Sequence, residues 1–166
     1  MKSVSIALFA SCALFWQPAH ADRAQYRDAV TLSAQTADLR VEHHNDWSKP
    51  ERPAYIRASE VASCNELFSK PSPALTYLWV SLDTQYIVGL SNIKFQNQYQ
   101  LIVLDRSGEQ LLAEDLTSLD WARQKESVTN WIHWYKEPVP AIEIDETTRA
   151  VRVEDYNGEM RTCYFR

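Results

Sequence analysis

The chain has 166 residues, 45% of them hydrophobic, with 17 basic against 22 acidic side chains and a formal net charge of −5. That length fits one domain with a real core. The acidic balance makes it a poor ligand for nucleic acid or for anionic membranes, since both are bound chiefly through basic side chains.

Residues 1–21 read as an export signal. Lys2 gives a short positive start, Val4 to Trp16 is apolar apart from small breaks, Pro18 ends the run, and Ala19-His20-Ala21 is a small-x-small cleavage site. The run is too short for a permanent membrane span. A competing reading takes Phe9-Ala10-Ser11-Cys12 as a lipoprotein box, with lipid on Cys12. The apolar stretch after Cys12 disfavours it, because a lipidated cysteine is followed by a polar tether. The sequence therefore predicts a free protein of the bacterial periplasm, residues 22–166 forming a single exported domain. Cleavage leaves 166 − 21 = 145 residues and a charge of 16 − 22 = −6. Cys64 and Cys163 are then the two remaining cysteines. In an oxidising compartment they are expected to pair, closing a loop of about 100 residues.

In chain order, residues 22–38 read as a helix or a loose arm. Leu39 to Asp46 extends, with Leu39, Val41 and His43 on one face and Arg40, Glu42, His44 and Asp46 on the other. The prolines and charges of Trp47 to Pro53 make a loop. Tyr55 to Ala58 is a short strand, and Ser59 caps a short helix that carries Cys64 and ends at residues 69–73. Leu75 to Leu82 and Tyr86 to Leu90 form a hairpin, and Leu101 to Leu104 with Gln110 to Ala113 form another, turning at Gly108. Residues 117–135 fit either period. Val128, Trp131, Ile132 and Tyr135 stand at helical spacing, so a helix from Ser118 is preferred, although the stretch is also rich in strand formers. The chain closes with a three-stranded meander, 141–145, 150–156 and 159–165, with Asn157-Gly158 as its last turn. The expected class is α+β: mainly antiparallel sheet with one or two helices packed on it.

Residues 77–112, YLWVSLDTQYIVGLS followed by YQLIVLDRSGEQLL, resemble one blade of a β-propeller of the WD40 or TolB kind. The rhythm does not recur in the chain, and 145 residues cannot supply the four or more blades of such a ring. The resemblance implies antiparallel sheet and no function.

With three glycines, Gly89, Gly108 and Gly158, the chain has neither a G-x-x-x-x-G-K nor a G-x-G-x-x-G, so phosphate-cradling and dinucleotide loops are out. G-x-S-x-G and H-E-x-x-H are absent too. No catalytic residue and no cofactor is assigned. His133 has no nucleophile to serve, and Asp105, Glu109, Glu114, Asp115 and Asp120 are scattered. Glu42, His44 and Asp46 are a weak metal candidate, because three ligands on alternate strand positions span about 13 Å, too wide for one ion.

Two stretches carry recognition chemistry. One is Trp131, His133 and Trp134, with Trp134 expected on the flank of the helix. The other is the amide-rich segment around Asn92, Lys94, Phe95, Asn97 and Tyr99. By elimination, the first expectation is a periplasmic protein-binding module of inhibitor or immunity type. It would work through an acidic, aromatic-bearing surface against a basic enzyme or toxin. The alternatives are a cell-envelope or carbohydrate-binding module and an enzyme with an unrecognised acid-base or metal site.

Overall fold

The computed structural model describes residues 29–49, 51–94, 97–123 and 130–165. The export signal with Cys12, and the candidates Phe95 and Val128, lie outside them.

Among the described residues, eleven strands form three consecutive antiparallel meanders. The first sheet holds β1 (Ala29–Gln35), β2 (Leu39–Asp46), β3 (Tyr55–Glu60) and β4 (Glu66–Pro71), side by side in that order. The second holds β5 (Tyr77–Val80), β6 (Tyr86–Leu90), β7 (Leu101–Asp105) and β8 (Gln110–Glu114), again in chain order. The third holds β9 (Ile142–Asp145), β10 (Ala150–Glu154) and β11 (Met160–Tyr164), with β10 in the middle. The two-hairpin rhythm read at 77–112 therefore recurs in structure where no repeat is visible in sequence.

Packing explains why the repeat is hidden. Leu39, Val41, Ile56 and Ala58 of the first sheet form one core with Leu78, Ile87, Ile102 and Leu104 of the second. Val88, Leu101 and Val103 of the second form another with Val151 and Val153 of the third. The middle sheet is thus covered on both faces, and β7 alternates between the two cores: Leu101 and Val103 one way, Ile102 and Leu104 the other. A strand with two buried faces has no polar positions to show, hence the unbroken LIVL. The outer sheets turn a polar face to solvent. On β2 this is Arg40, Glu42, His44 and Asp46, and on the third sheet Arg152 lies across from Glu143 and Thr162.

Specific contacts tie the layers. Gly108, at φ +86°, closes the β7–β8 turn, and a Cβ there would lie 2.6 Å from the Phe68 ring of the first sheet. Lys70 Nζ donates to the Gly108 carbonyl at 2.9 Å. At the β10–β11 turn, buried Asp155 accepts from the N–H groups of Asn157 and Glu159 and from Arg161 Nε, the last at 2.7 Å. Burial works against its ionisation, but these donors together hold the carboxyl below the usual aspartate range.

Several expected elements differ. Residues 29–35 are a strand, with Leu32 and Ala34 packed inward. Residues 59–68 are not a helix: β3 runs to Glu60 and a tight turn leads into β4. Of the helix expected from Ser118, the described residues show a 3-10 turn, Leu116–Ser118, capped by the Asp115 carboxylate, and a four-residue helix, Asp120–Arg123, while residues 124–129 lie outside them. Residues 130–135 are not helical: they make single bridges Ile93↔Trp131 and Tyr135↔Asp155, and Trp134 N–H bonds back to the Ile132 carbonyl. The described residues are therefore mostly antiparallel sheet with very little helix. No helix among them is long and apolar enough to cross a membrane.

The expected disulfide is absent: both thiols are free. Cys64 sits exposed in the β3–β4 turn of one outer sheet. Cys163 lies on β11 of the other, packed against the core shared with the middle sheet. Burial pushes its thiol up to about 11.

Candidate functional site

Three segments distant in sequence meet at one end of the first two sheets and enclose a cleft of about 570 Å³. They are the loop that follows β2, the connector between β4 and β5, and residues 97–99, with Gln110 at the start of β8 completing the wall. Short-range bonds shape the first segment. Asp46 Oδ1 accepts from the Ser48 N–H at 3.0 Å and the Ser48 hydroxyl at 2.6 Å, and Asp46 Oδ2 lies 3.0 Å from Lys49 Nζ. Those donors, Ser48 first, hold the Asp46 carboxyl down at about 2. Lys49 N–H then bonds back to the Asp46 carbonyl and Arg52 N–H to that of Lys49, two successive turns that place Arg52 on the cleft wall. Trp47 is half-buried against Ala54, Ala74 and Ile93.

Polar side chains, Asn97 half-buried and His43 and Gln100 fully so, hold the floor. Asn97 clamps Ala74 through both backbone groups: Oδ1 accepts its N–H at 2.8 Å and Nδ2 donates to its carbonyl at 2.7 Å. Fully buried His43 approaches the same connector, with Nε2 3.1 Å from the Pro73 carbonyl and 3.3 Å from the Leu75 nitrogen. Its Nδ1 has no hydrogen-bond partner. Burial lowers the His43 pKa to about 4, so the ring is neutral at ordinary pH. Gln100, also buried, donates from Nε2 to the Ile93 carbonyl at 3.1 Å and accepts the Leu116 N–H at 2.9 Å. The pocket is thus preformed by bonds that do not depend on a ligand, and its volume matches that of small-molecule sites, roughly 300–1,000 Å³.

The residues singled out in the sequence separate into two groups. Asn97 and Tyr99 belong to the cleft, Asn97 as a clamp and Tyr99 as a half-buried lining ring. Asn92, Lys94, Trp131 and His133 gather elsewhere, because the Ile93↔Trp131 bridge brings the two stretches together. There Trp131 stacks on His133, with ring centroids 6.1 Å apart and planes 15° apart. His133 Nδ1 lies 3.5 Å from Glu137 Oε1, and buried Asn92 donates from Nδ2 to the same oxygen. Lys94 N–H bonds to the Asn130 carbonyl beside them.

Trp134 is not on a flank. It is 1% exposed, its indole N–H donates to the Ser91 carbonyl at 2.8 Å, and Trp121 and Tyr135 meet it edge to face. Ile132 and Trp134 both enter the core, whereas the helical reading put Ile132 there and Trp134 on the flank.

Glu42, His44 and Asp46 do share the outward face of β2, but each has its own work. Glu42 pairs with Arg57, His44 Nδ1 lies 3.1 Å from Thr31 Oγ1, and Asp46 holds Ser48 and Lys49. Among the described residues no three His, Cys, Asp or Glu side chains converge as ligands.

Sequence reasoning missed the contribution of Trp47, Arg52 and Gln110. The prolines at 50 and 53 marked the loop, but nothing local showed that it would face residues 97–99.

No protein-family model matches the chain, and no curated protein matches it. Among solved structures it is similar to an oligogalacturonate lyase in complex with manganese, with a TM-score of 0.46 and 12% identity over 82% of this chain. The match covers 35% of that enzyme, so the chain spans about a third of its length.

Proposed function

We propose that the chain is a non-covalent binding module of the cell envelope, that the cleft is its site, and that its ligand is a carbohydrate. The observation that carries this reading is the lining: the rings of Trp47 and Tyr99 border one preformed hollow together with the exposed amides of Gln98 and Gln110. Aromatic faces pack on the C–H faces of sugar rings, and an amide can donate to one hydroxyl while accepting from another. The export signal read at residues 1–21 supports a place in the periplasm, where envelope glycans are at hand.

A second reading, a protein-binding module of inhibitor or immunity type, rests on the Trp131–His133 stack and on the chain's acidity. It is the weaker of the two, because the burial of Trp134 removes an aromatic anchor that such a surface was expected to present.

Calorimetric titration of the purified protein with short N-acetylglucosamine oligomers and soluble peptidoglycan fragments tests the proposal. Saturable binding is expected, weakened by about tenfold or more, ~1.4 kcal/mol, in Tyr99→Ala. Absence of heat with every glycan, together with capture of one envelope protein in a salt-sensitive manner, would transfer the function to the second reading.

A further inference from the structure

We infer that the cleft takes a glycan bearing a carboxylate, with Arg52 as the group that recognises it. This rests on the carbohydrate reading above and adds the charge of the ligand.

The chain as a whole is acidic, yet the cleft wall is not. Its one carboxylate, Asp46, is already satisfied by the Ser48 N–H and hydroxyl and by the Lys49 ammonium. Arg52, on the same wall, is exposed, and among the described residues its guanidinium has no carboxylate partner. Most of the other arginines whose contacts are described do have one: Arg57 holds Glu42, Arg106 reaches Glu60, Arg152 meets Glu143 and Asp145, and Arg161 holds Asp155. The remaining cleft side chains named above are neutral amides and aromatic rings. With Asp46 engaged by Ser48 and Lys49, Arg52 is the lining cation left without a carboxylate partner among the described residues.

A guanidinium in that position fits an oxyanion with two coplanar oxygens, which it binds through parallel N–H donors. A carboxylate matches it in charge as well as shape. A phosphate dianion would call for a second free cation, whereas Lys49 on the same loop is committed to Asp46. The backbone bond from Arg52 N–H to the Lys49 carbonyl at 2.9 Å fixes where the side chain leaves the loop.

Two disaccharides that differ by a single lactyl group separate the possibilities: N,N′-diacetylchitobiose, which is neutral, and N-acetylglucosaminyl–N-acetylmuramic acid, which carries the carboxylate. The acid is expected to bind about tenfold tighter at low salt, with the advantage shrinking as ionic strength rises, because part of it is charge attraction. In Arg52→Gln the two sugars should bind alike, and Arg52→Lys should restore only part of the difference. Equal binding of both sugars to the unaltered protein overturns the carboxylate while leaving the carbohydrate reading intact. Binding of neither overturns both. Displacement of the acid by inorganic phosphate at equal concentration would replace a carboxylate by a phosphate specificity and so contradict the inference.

Discussion

The indole N–H of Trp134 donates to the carbonyl of Ser91 across 43 residues of sequence, at 2.8 Å, and both residues are buried. This bond fastens the segment 130–135 to the end of β6 and makes Trp134 a core residue. Trp134→Ala should therefore lower the stability of unfolding by about 3–5 kcal/mol, as other large-to-small aromatic deletions do. Trp134→Phe keeps a ring but leaves the Ser91 carbonyl unpaired, at a smaller cost of about 1–3 kcal/mol. Urea denaturation of the two variants checks the order. Unchanged stability in Trp134→Ala would return the side chain to the surface.

His43 gives the fold a defined response to acid. Its pKa falls from 6.5 to about 4 on folding, so between those values the unfolded chain binds more protons than the native one. Stability must then rise with pH across that window, and it is lost as pH falls from about 6.5 towards 4. The His43 share is about 3 kcal/mol. Carboxylates titrate over part of the same range, so the informative quantity is a difference. The stability gap between pH 7 and pH 4.5 should be smaller in His43→Gln than in the unaltered protein. An equal gap in both would show that this imidazole is not held neutral by burial.

The two thiols should behave very differently. Cys64 is exposed and Cys163 is half-buried with its thiol pushed up to about 11. Thiolate is the reacting species, so at pH 8 a disulfide-exchange reagent should label Cys64 promptly and Cys163 only slowly until the chain is unfolded. Failure to find any reactive thiol, native or denatured, in protein lacking residues 1–21 would mean that the two are bonded after all.

Much of the sheet was legible because its causes are local. Leu101 to Leu104 could only be strand, and Gly108 and Gly158 both take the positive φ that their turns need. The errors lie where a local pattern admits two periods. Trp131, Ile132 and Tyr135 fit a helix, yet the structure bridges Trp131 to Ile93 and Tyr135 to Asp155, and buries Ile132, Trp134 and Tyr135 together. In β1, Val30, Leu32 and Ala34 alternate plainly, but short side chains with few long aliphatics among them made the signal weak. The cleft was half legible. The chemistry of Asn97 and Tyr99 could be read from their own segment, whereas their opposition to Trp47 and Arg52 depends on how two meanders stack, which no short window encodes.

The most direct test of the account follows the indole N–H resonances of the ¹⁵N-labelled protein while an N-acetylglucosamine oligomer is added. Trp47 lines the cleft, Trp131 belongs to the other surface, and Trp134 is enclosed in the core. The account predicts that the Trp47 signal moves in proportion to occupancy while those of Trp131 and Trp134 stay in place. Movement of Trp131 with Trp47 unchanged would contradict it and put the binding site on the opposite reading's surface.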